Sequence, residues 1–268
     1  MIKSLTIFCL FISLGAFAQA DTAFRFVKTI NSDIVSFSVD NLDNIYLLGS
    51  TNQLKKLNAS GDSVGVFNNV RKYGKASLVD VSNPLKVLLY FKDFATIVVL
   101  DRFLNVRNTI DLRRQNILQV GAIGQSYDNK IWLYDEVENK LKKIDEEGRL
   151  LLETPDFRQL FGTAPVPQKI FDQDQFVYLY DSTQAVFVFD YYGSLKNKIL
   201  INGWQNFKVA GKFIFGSKNN KLYRYNIQTF RVDEWNMPDQ LSTADAFNFS
   251  SSRLYALKKD AIEIYSFR

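Results

Sequence analysis

Three carboxylates have the residue type and spacing to hold a metal ion together. Asp80, Asp172 and Asp245 stand on or beside short strands that recur along the chain, and they could converge. Carboxylate oxygens are ligands that calcium prefers. Isolated carboxylates in such positions more often accept hydrogen bonds from the backbone or from water. A calcium site formed by these three side chains is therefore the alternative to a chain that holds no metal.

Other catalytic chemistry is limited by two residue types. The 268 residues include no histidine, and the single cysteine is Cys9. Without them the chain cannot form an ordinary zinc site, a Ser-His-Asp triad or a Cys-His pair. The nearest glycine cluster, Gly121 to Gly124, favours tight packing over phosphate binding. We therefore predict that the protein is not an enzyme and needs no cofactor.

A second group of residues has the composition of a binding surface. The connection 154–167 contains Phe157, Arg158, Leu160 and Phe161, and Trp204 lies in a later loop. Exposed aromatic rings and arginines commonly anchor protein interfaces. The alternative is that these rings pack against the rim of the fold. Both interpretations remain open from the sequence.

The charge of the chain indicates no special partner. The formal net charge is +5, with 33 basic and 28 acidic residues scattered among one another. Such a mixture is typical of a solvated surface, and no aromatic and basic RNA-binding motif accompanies it. The sequence therefore predicts no nucleic-acid partner.

The first 18 residues have the pattern of a secretory signal peptide. Lys3 gives a positive start, Leu5 to Phe17 form an apolar core, and Ala16 and Ala18 are the small residues that a signal peptidase needs. The apolar run is too short to span a membrane comfortably, and no other stretch approaches about 20 apolar residues. We expect an exported protein without a transmembrane segment. The periplasm is the expected compartment, with secretion or outer-membrane association as alternatives.

The elements that must position these residues repeat six times, at intervals of about 42 residues, which is the period of a four-stranded propeller blade. Each copy has a short apolar strand, a polar turn and a second strand closed by Asp, Asn or Ser, whose side chain can bond to the following turn. The first of these strands are Asn44 to Leu48, Lys86 to Tyr90, Lys130 to Tyr134, Phe176 to Tyr180, Lys212 to Gly216 and Arg253 to Leu257.

The repeats predict an all-β chain, a six-bladed β-propeller of four-stranded blades. Residues 19–268 form one domain in this prediction. A smaller, more polar strand precedes each pair and should line the central channel. The sixth copy lacks its outer strand, whereas Phe24 to Ile30 is a spare strand before the first copy. We expect this N-terminal strand to pair with the C-terminal blade and close the ring.

The motifs resemble those of bacterial exported six-bladed β-propellers of the NHL-like group. The matching segments are SYDNKIWLYD with KLKKIDEEG, DNLDNIYLLG with QLKKLNASG, and QFVYLYD with VFVFDYYG. The resemblance covers nearly the whole chain after residue 18. It implies the propeller fold, and it implies three kinds of function, because members of the group bind proteins, bind sugars or peptidoglycan, or hydrolyse lactones with calcium.

Of these functions, we predict a noncatalytic, monomeric propeller that binds a protein partner in the bacterial cell envelope. One alternative is a calcium-dependent, lactonase-like hydrolase that uses the channel carboxylates. The other is a carbohydrate-binding or peptidoglycan-binding propeller, which the many Tyr and Phe residues would suit, although core packing also explains them.

Overall fold

Short runs of β-branched and aromatic residues between turn residues form the strands of this protein. The computed structural model describes residues 24–68 and 70–267, which form six four-stranded antiparallel sheets. The sheets are blades 1 to 6 in chain order. The signal peptide expected in residues 1–18 lies outside the described residues.

Every blade contains an inner, a second, a third and an outer strand in that spatial order. The inner strands are β2 Ser36–Val39, β6 Leu78–Asn83, β10 Val120–Gln125, β14 Lys169–Gln173, β18 Gln205–Ala210 and β22 Ala246–Phe249. The second strands are β3 Ile45–Leu48, β7 Lys86–Phe91, β11 Ile131–Asp135, β15 Phe176–Asp181, β19 Phe213–Lys218 and β23 Arg253–Lys258.

The third strands are β4 Leu54–Leu57, β8 Thr96–Asp101, β12 Lys140–Ile144, β16 Ala185–Asp190, β20 Lys221–Asn226 and β24 Ala261–Phe267. The outer strands are β5 Ser63–Phe67, β9 Val106–Asp111, β13 Leu150–Glu153, β17 Leu195–Ile199, β21 Val232–Asn236 and, in blade 6, β1 Phe24–Asn31. Two short helices, α1 Val70–Tyr73 and α2 Phe157–Phe161, lie in the connections between blades. Three 3-10 turns cover Lys92–Phe94, Leu112–Gln115 and Asp239–Leu241.

The inner strands form a closed ring around a channel. Each contacts the inner strands of the two neighbouring blades, and β22 of blade 6 contacts β2 of blade 1. We call the end of the channel where the inner strands begin the top face, and the end where they turn into the second strands the bottom face. No helix among the described residues is long and apolar enough to cross a membrane.

Strand β1 closes the ring, as the sequence predicted. It pairs antiparallel with β24, from Phe24 opposite Phe267 to Asn31 opposite Ala261, with a bulge between Phe26 and Lys28. The six-bladed, four-stranded architecture is also confirmed. The N-terminal and C-terminal segments of the described chain therefore share one sheet.

The core lies between neighbouring blades rather than inside one of them. The middle strands are buried on both sides, which explains why their sequences are continuous apolar runs. At a close contact between inner strands, a Cβ on Gly124 of β10 would lie 2.9 Å from the carbonyl oxygen of Ile170 in β14. Glycine is required there because it allows the two backbones to approach.

The turns of the bottom face use the chemistry that the repeats predicted. In blade 3, the Asp145 carboxylate accepts hydrogen bonds from the backbone amides of Glu147 at 3.0 Å and Arg149 at 2.8 Å. Asp101 in blade 2 and Asp190 in blade 4 make the same pair of bonds two and four residues onward. The side chains that close the third strands thus stabilise turns.

Closure of the ring gives a matched test on β1. Phe24 is 6% exposed and packs against Trp235 and Phe267, whereas Phe26 on the same strand is 53% exposed and touches only the edge of Tyr265. We expect Phe24→Ala to lower the free energy of unfolding by about 3 kcal/mol or more, since it empties a packed site between blades 5 and 6. Phe26→Ala should cost about 1 kcal/mol. Urea unfolding measures both, and equal losses would contradict closure by core packing.

Candidate functional site

The helix α2 of the long connection is a packing element. Phe157 is fully buried, and its ring stacks on Phe189 with centroids 5.2 Å apart. Phe161 is half-buried, with its ring 4.9 Å from Phe187. The exposure that an interface anchor needs is absent at Phe157, because this face of the helix covers the core between blades 3 and 4.

Two other residues of the connection do reach the surface. Leu160 is 47% exposed. Arg158 is also exposed, and its guanidinium is paired with Asp156, which caps α2 by accepting from the Arg158 backbone amide at 2.8 Å. A binding role of these two residues stays a prediction, now without an exposed ring beside them.

Trp204 is likewise buried, with 8% of its surface exposed. Its ring stacks on Tyr223 at 5.0 Å, and its carbonyl oxygen accepts a hydrogen bond from the Tyr180 hydroxyl at 2.6 Å. A Cβ on Gly216 would lie 2.7 Å from the indole, so glycine makes the space for it. Trp204 therefore packs between blades and forms part of the channel wall, which agrees with the packing alternative for this ring.

The three carboxylates do not converge. Asp80 lies in the channel and accepts hydrogen bonds from the Ser82 hydroxyl at 2.9 Å and the Gln125 amide at 2.8 Å. Asp245 is exposed at the top face, where it accepts from the Lys259 amide. Residues 24–68 and 70–267 contain no group of three or more His, Cys, Asp or Glu side chains that could hold a metal ion. The alternative in which Asp80, Asp172 and Asp245 meet at one metal ion is not met among these residues. Asp80 and Asp172 are each held by their own blade and a neighbouring blade, and Asp245 is held by its own blade.

Asp172 instead organises a cluster on the bottom face. Its carboxylate accepts hydrogen bonds from the Trp132 indole at 3.0 Å, the Ser126 hydroxyl at 3.0 Å and the Tyr191 hydroxyl at 2.7 Å. Burial, and then the Asp172 carboxylate, raise the pKa of Tyr191. These bonds join the bottom-face turns of blades 3 and 4.

Two tyrosines of this cluster form an exposed stack. The rings of Tyr127 and Tyr191 are parallel within 13°, with centroids 4.3 Å apart. The Lys143 ammonium lies 5.2 Å from the Tyr127 ring, 5.7 Å from the Tyr191 ring and 5.0 Å from the Trp132 ring, and it is also paired with Asp128. Tyr127 is 66% exposed. We call Tyr127, Tyr191, Lys143, Trp132 and Asp172 the tyrosine cluster.

Sequence reasoning missed the tyrosine cluster, although a signal was present. Tyr127 and Tyr191 occupy turn positions in which the other repeats carry mostly small or polar residues. An aromatic residue in such a turn has no strand partner to pack against. Two of them in consecutive blades could have been recognised as a possible pair.

The second feature is the channel, which has two compartments. The upper compartment opens at the top face and has a volume of about 710 Å³, and the lower one has about 200 Å³. Ser82, Phe171 and Lys208 line both compartments and form the constriction between them. Lys208 of blade 5 donates a hydrogen bond to the carbonyl oxygen of Val39 in blade 1 at 2.6 Å. Its side chain therefore crosses the channel.

The electrostatics of the channel follow from burial of three charged groups. Burial lowers the pKa of Lys208 to about 8, the charge of Lys169 acts in the same direction, and the carboxylates of Asp80 and Asp40 oppose the shift. Burial also lowers the pKa of Lys169. For Asp80, burial raises the pKa against the hydrogen bonds from Ser82 and Gln125.

We expect Lys208 to titrate about pH 8 in the native protein, against 10.5 for an unperturbed lysine. Between these values the unfolded chain binds more protons, so the Lys208 contribution to the free energy of unfolding rises with pH. Carbon-13 NMR of the lysine Cε groups measures the midpoint, and the resonance that is absent in Lys208→Met is assigned to Lys208. Asp80→Asn should lower the midpoint further, because Asp80 favours the charged lysine. A midpoint near 10.5 would contradict the assignment.

No family model matches the sequence, and no curated protein matches it. Solved structures share the fold. A streptogramin B lyase is 13% identical with a TM-score of 0.61, over 91% of this chain and 88% of that chain. The virginiamycin B lyase from Staphylococcus aureus is 12% identical with a TM-score of 0.60, over 91% and 100% of the two chains. Another structure of that lyase, with quinupristin, is a catalytically inactive variant in which alanine replaces a histidine.

A WD40 domain has the same degree of likeness. The WD40 domain of Pan2 from Neurospora crassa is 8% identical with a TM-score of 0.62, over 91% of this chain and 95% of that domain. At such identities the likeness is one of fold and does not extend to activity. The chain is a six-bladed β-propeller, similar in fold both to an enzyme and to a WD40 domain.

Proposed function

We propose that this protein is a noncatalytic, protein-binding propeller of the bacterial cell envelope, and that the bottom face is its docking surface. The observation that carries the proposal is the set of large side chains that the bottom-face turns hold in solvent. They are Leu42 at 61%, Leu85 at 60%, Phe103 at 47%, Tyr127 at 66%, Tyr192 at 85% and Phe230 at 66% exposed.

The composition of the two faces favours the bottom one. Across the described residues, the large apolar side chains that are exposed at the top face are mostly aliphatic, such as Val35, Leu118 and Leu200, with Phe94 as an aromatic exception. The bottom face has four exposed aromatic rings. Aromatic residues dominate the binding energy of protein interfaces, whereas Leu and Val are under-represented among the strongest contacts.

The tyrosine cluster is rigid enough to serve as an anchor. Tyr191 is fixed by its hydrogen bond to Asp172 and by stacking on Tyr127, and Lys143 is fixed by Asp128. A side chain already held in one rotamer loses little entropy when a partner covers it. Tyr192, the next residue along the turn, would extend the apolar contact towards the rim of blade 4.

The chemistry of the chain supports binding over catalysis. Asp80, Asp172 and Asp245 lie apart, so a calcium-dependent hydrolase built on them is disfavoured. The lyase of similar fold is described as inactive when a histidine is replaced by alanine, and the present sequence contains no histidine. Export to the envelope remains part of the proposal and depends on residues 1–18.

Carbohydrate binding is a second candidate, favoured by the exposed rings of Tyr127 and Tyr192. Sugars stack on such rings, but they also require several polar groups around the ring. Lys143 and Asp172, the charged groups of the cluster, are already occupied by Asp128 and by Trp132 and Tyr191. Binding on a glycan array that is lost in Tyr127→Ala would favour this candidate over a protein partner.

Site-specific photo-crosslinking in the native cells would test the docking face. Leu85 on the bottom face and Val166 on the top face are 60% and 59% exposed, so they form a matched pair of positions for a photoreactive side chain. We expect a discrete protein adduct from position 85 and none from position 166, read by mass spectrometry. Adducts from position 166 alone, or from neither position, would overturn the proposed docking face.

The aromatic residues should determine the yield of that adduct. Combining Tyr127→Ala with Tyr192→Ala should lower crosslinking from position 85 by about tenfold or more, the loss expected for an interface anchor. Leu118→Ala combined with Val166→Ala is the control, since both residues are exposed at the top face. It should leave the yield unchanged. Equal effects of the two double variants would show that the tyrosines are not the anchor.

A further inference from the structure

The upper compartment of the channel contains an excess of positive charge. Its charged lining residues are Lys75, Lys169, Lys208 and Asp80. Lys169 begins the inner strand of blade 4, and Lys208 lies within the inner strand of the neighbouring blade 5. The three lysines therefore extend from the top opening down to the constriction.

The single acidic group of this wall does not neutralise them. The Asp80 carboxylate accepts hydrogen bonds from the backbone and hydroxyl of Ser82 and from the amide of Gln125. In the part of the chain that the structure describes, neither Lys169 nor Lys208 forms an ion pair within 4.0 Å. A charge removed from bulk water is normally paired, so the half-buried ammonium group of Lys208 lacks the expected counter-charge, and Lys169 adds a second positive charge to the same wall.

The shape of the compartment is that of a blind pocket. The Lys208 side chain reaches Val39 across the channel and forms the floor with Ser82 and Phe171. The volume of about 710 Å³ above this floor lies within the range of small-molecule sites, about 300–1,000 Å³. The Lys169 side chain is exposed to solvent, and it lines the pocket.

We propose that the upper compartment binds a small organic anion, with Lys169 and Lys208 as the cationic contacts of its carboxylate or phosphate group. Either group has several oxygen acceptors, so it can accept from both Lys169 and Lys208, which line the same compartment. The site is separate from the tyrosine cluster and does not depend on a protein partner at the bottom face.

The rest of the wall indicates what accompanies the anionic group. Phe207 packs on Tyr180 with ring centroids 3.8 Å apart, and Phe171 lies beside them. On blades 1 and 6 the wall includes the polar residues Ser36 and Asn248. A ligand with one flat apolar side and one hydrogen-bonding side fits this division better than an inorganic ion does.

Titration calorimetry on the full chain tests the site, with inorganic phosphate and benzoate as probes. We expect benzoate, which has a flat ring beside its carboxylate, to bind more tightly than phosphate. Lys169→Met and Lys208→Met should each weaken binding by about tenfold or more, as expected when a hydrogen bond to a charged group is lost. Lys92→Met removes the same charge from an exposed position of the top face outside the pocket and should leave binding unchanged.

Proton uptake provides a second readout. An anion beside Lys208 favours its charged form, so binding near its pKa of about 8 should draw protons from the buffer. Calorimetry in two buffers of different ionisation enthalpy measures this uptake, which Lys208→Met should abolish. Asp80, Asp40 and Lys169 are the charged groups that face Lys208.

Three outcomes would overturn the proposal. They are an absence of heat with both probes at millimolar concentration, equal weakening by Lys92→Met and Lys169→Met, and binding without proton uptake at pH 8. Lys169 has open surface, so its replacement is not expected to disturb folding. If Lys208→Met fails to fold, the effect of Lys169→Met on anion binding still tests the proposal. A stronger response to phosphate than to benzoate would reject the aromatic wall as a contact.

Discussion

The pairing of β1 with β24 is the contact on which the rest of the structure depends. It joins residues near the two ends of the described chain, Phe24 and Phe267, so it closes the longest loop that the fold contains. Every blade buries its two sides against neighbours, and an open ring would leave one side of blade 6 and one side of blade 1 in water. Because the core lies between blades, closure converts six weak sheets into one cooperative unit.

Ring closure also explains why the blades can diverge. The scaffold needs only the buried middle strands and the turn bonds made by residues such as Asp101, Asp145 and Asp190. The side chains at the turn tips and on the channel side of the inner strands do not contribute to this scaffold and can vary between blades. The tyrosine cluster is formed by variable side chains at the turn tips. Lys208 and Asp80, which have opposite charges and lie on facing blades, are variable side chains on the channel side.

Much of the fold was predictable from the sequence, because a blade is a local pattern. The strand predicted from Lys86 to Tyr90 is β7, and the closing strand predicted from Phe24 to Ile30 is β1. Burial of individual side chains was not predictable. Phe157 looked like a loop residue, but α2 directs its ring onto Phe189 of the next blade.

The candidate sites were harder to predict because they depend on contacts between blades, which a local sequence pattern does not encode. Tyr127 meets Tyr191, and Lys208 meets Val39, only because different blades converge. The three carboxylates lie on or beside inner strands of different blades, but among the described residues their side chains do not come together. A repeat predicts which residues are equivalent, but contacts between blades depend on the direction of each side chain.

The position of β1 has a mechanical consequence. Phe24 and Phe267 lie side by side at the bottom-face end of their strands, on the outer edge of blade 6. Any tether attached through either of these ends would pull on the same corner of the molecule. The tyrosine cluster would then be turned towards the support and the channel opening away from it. Immobilisation through a terminus would leave the pocket free to sample solutes while restricting access to the opposite side.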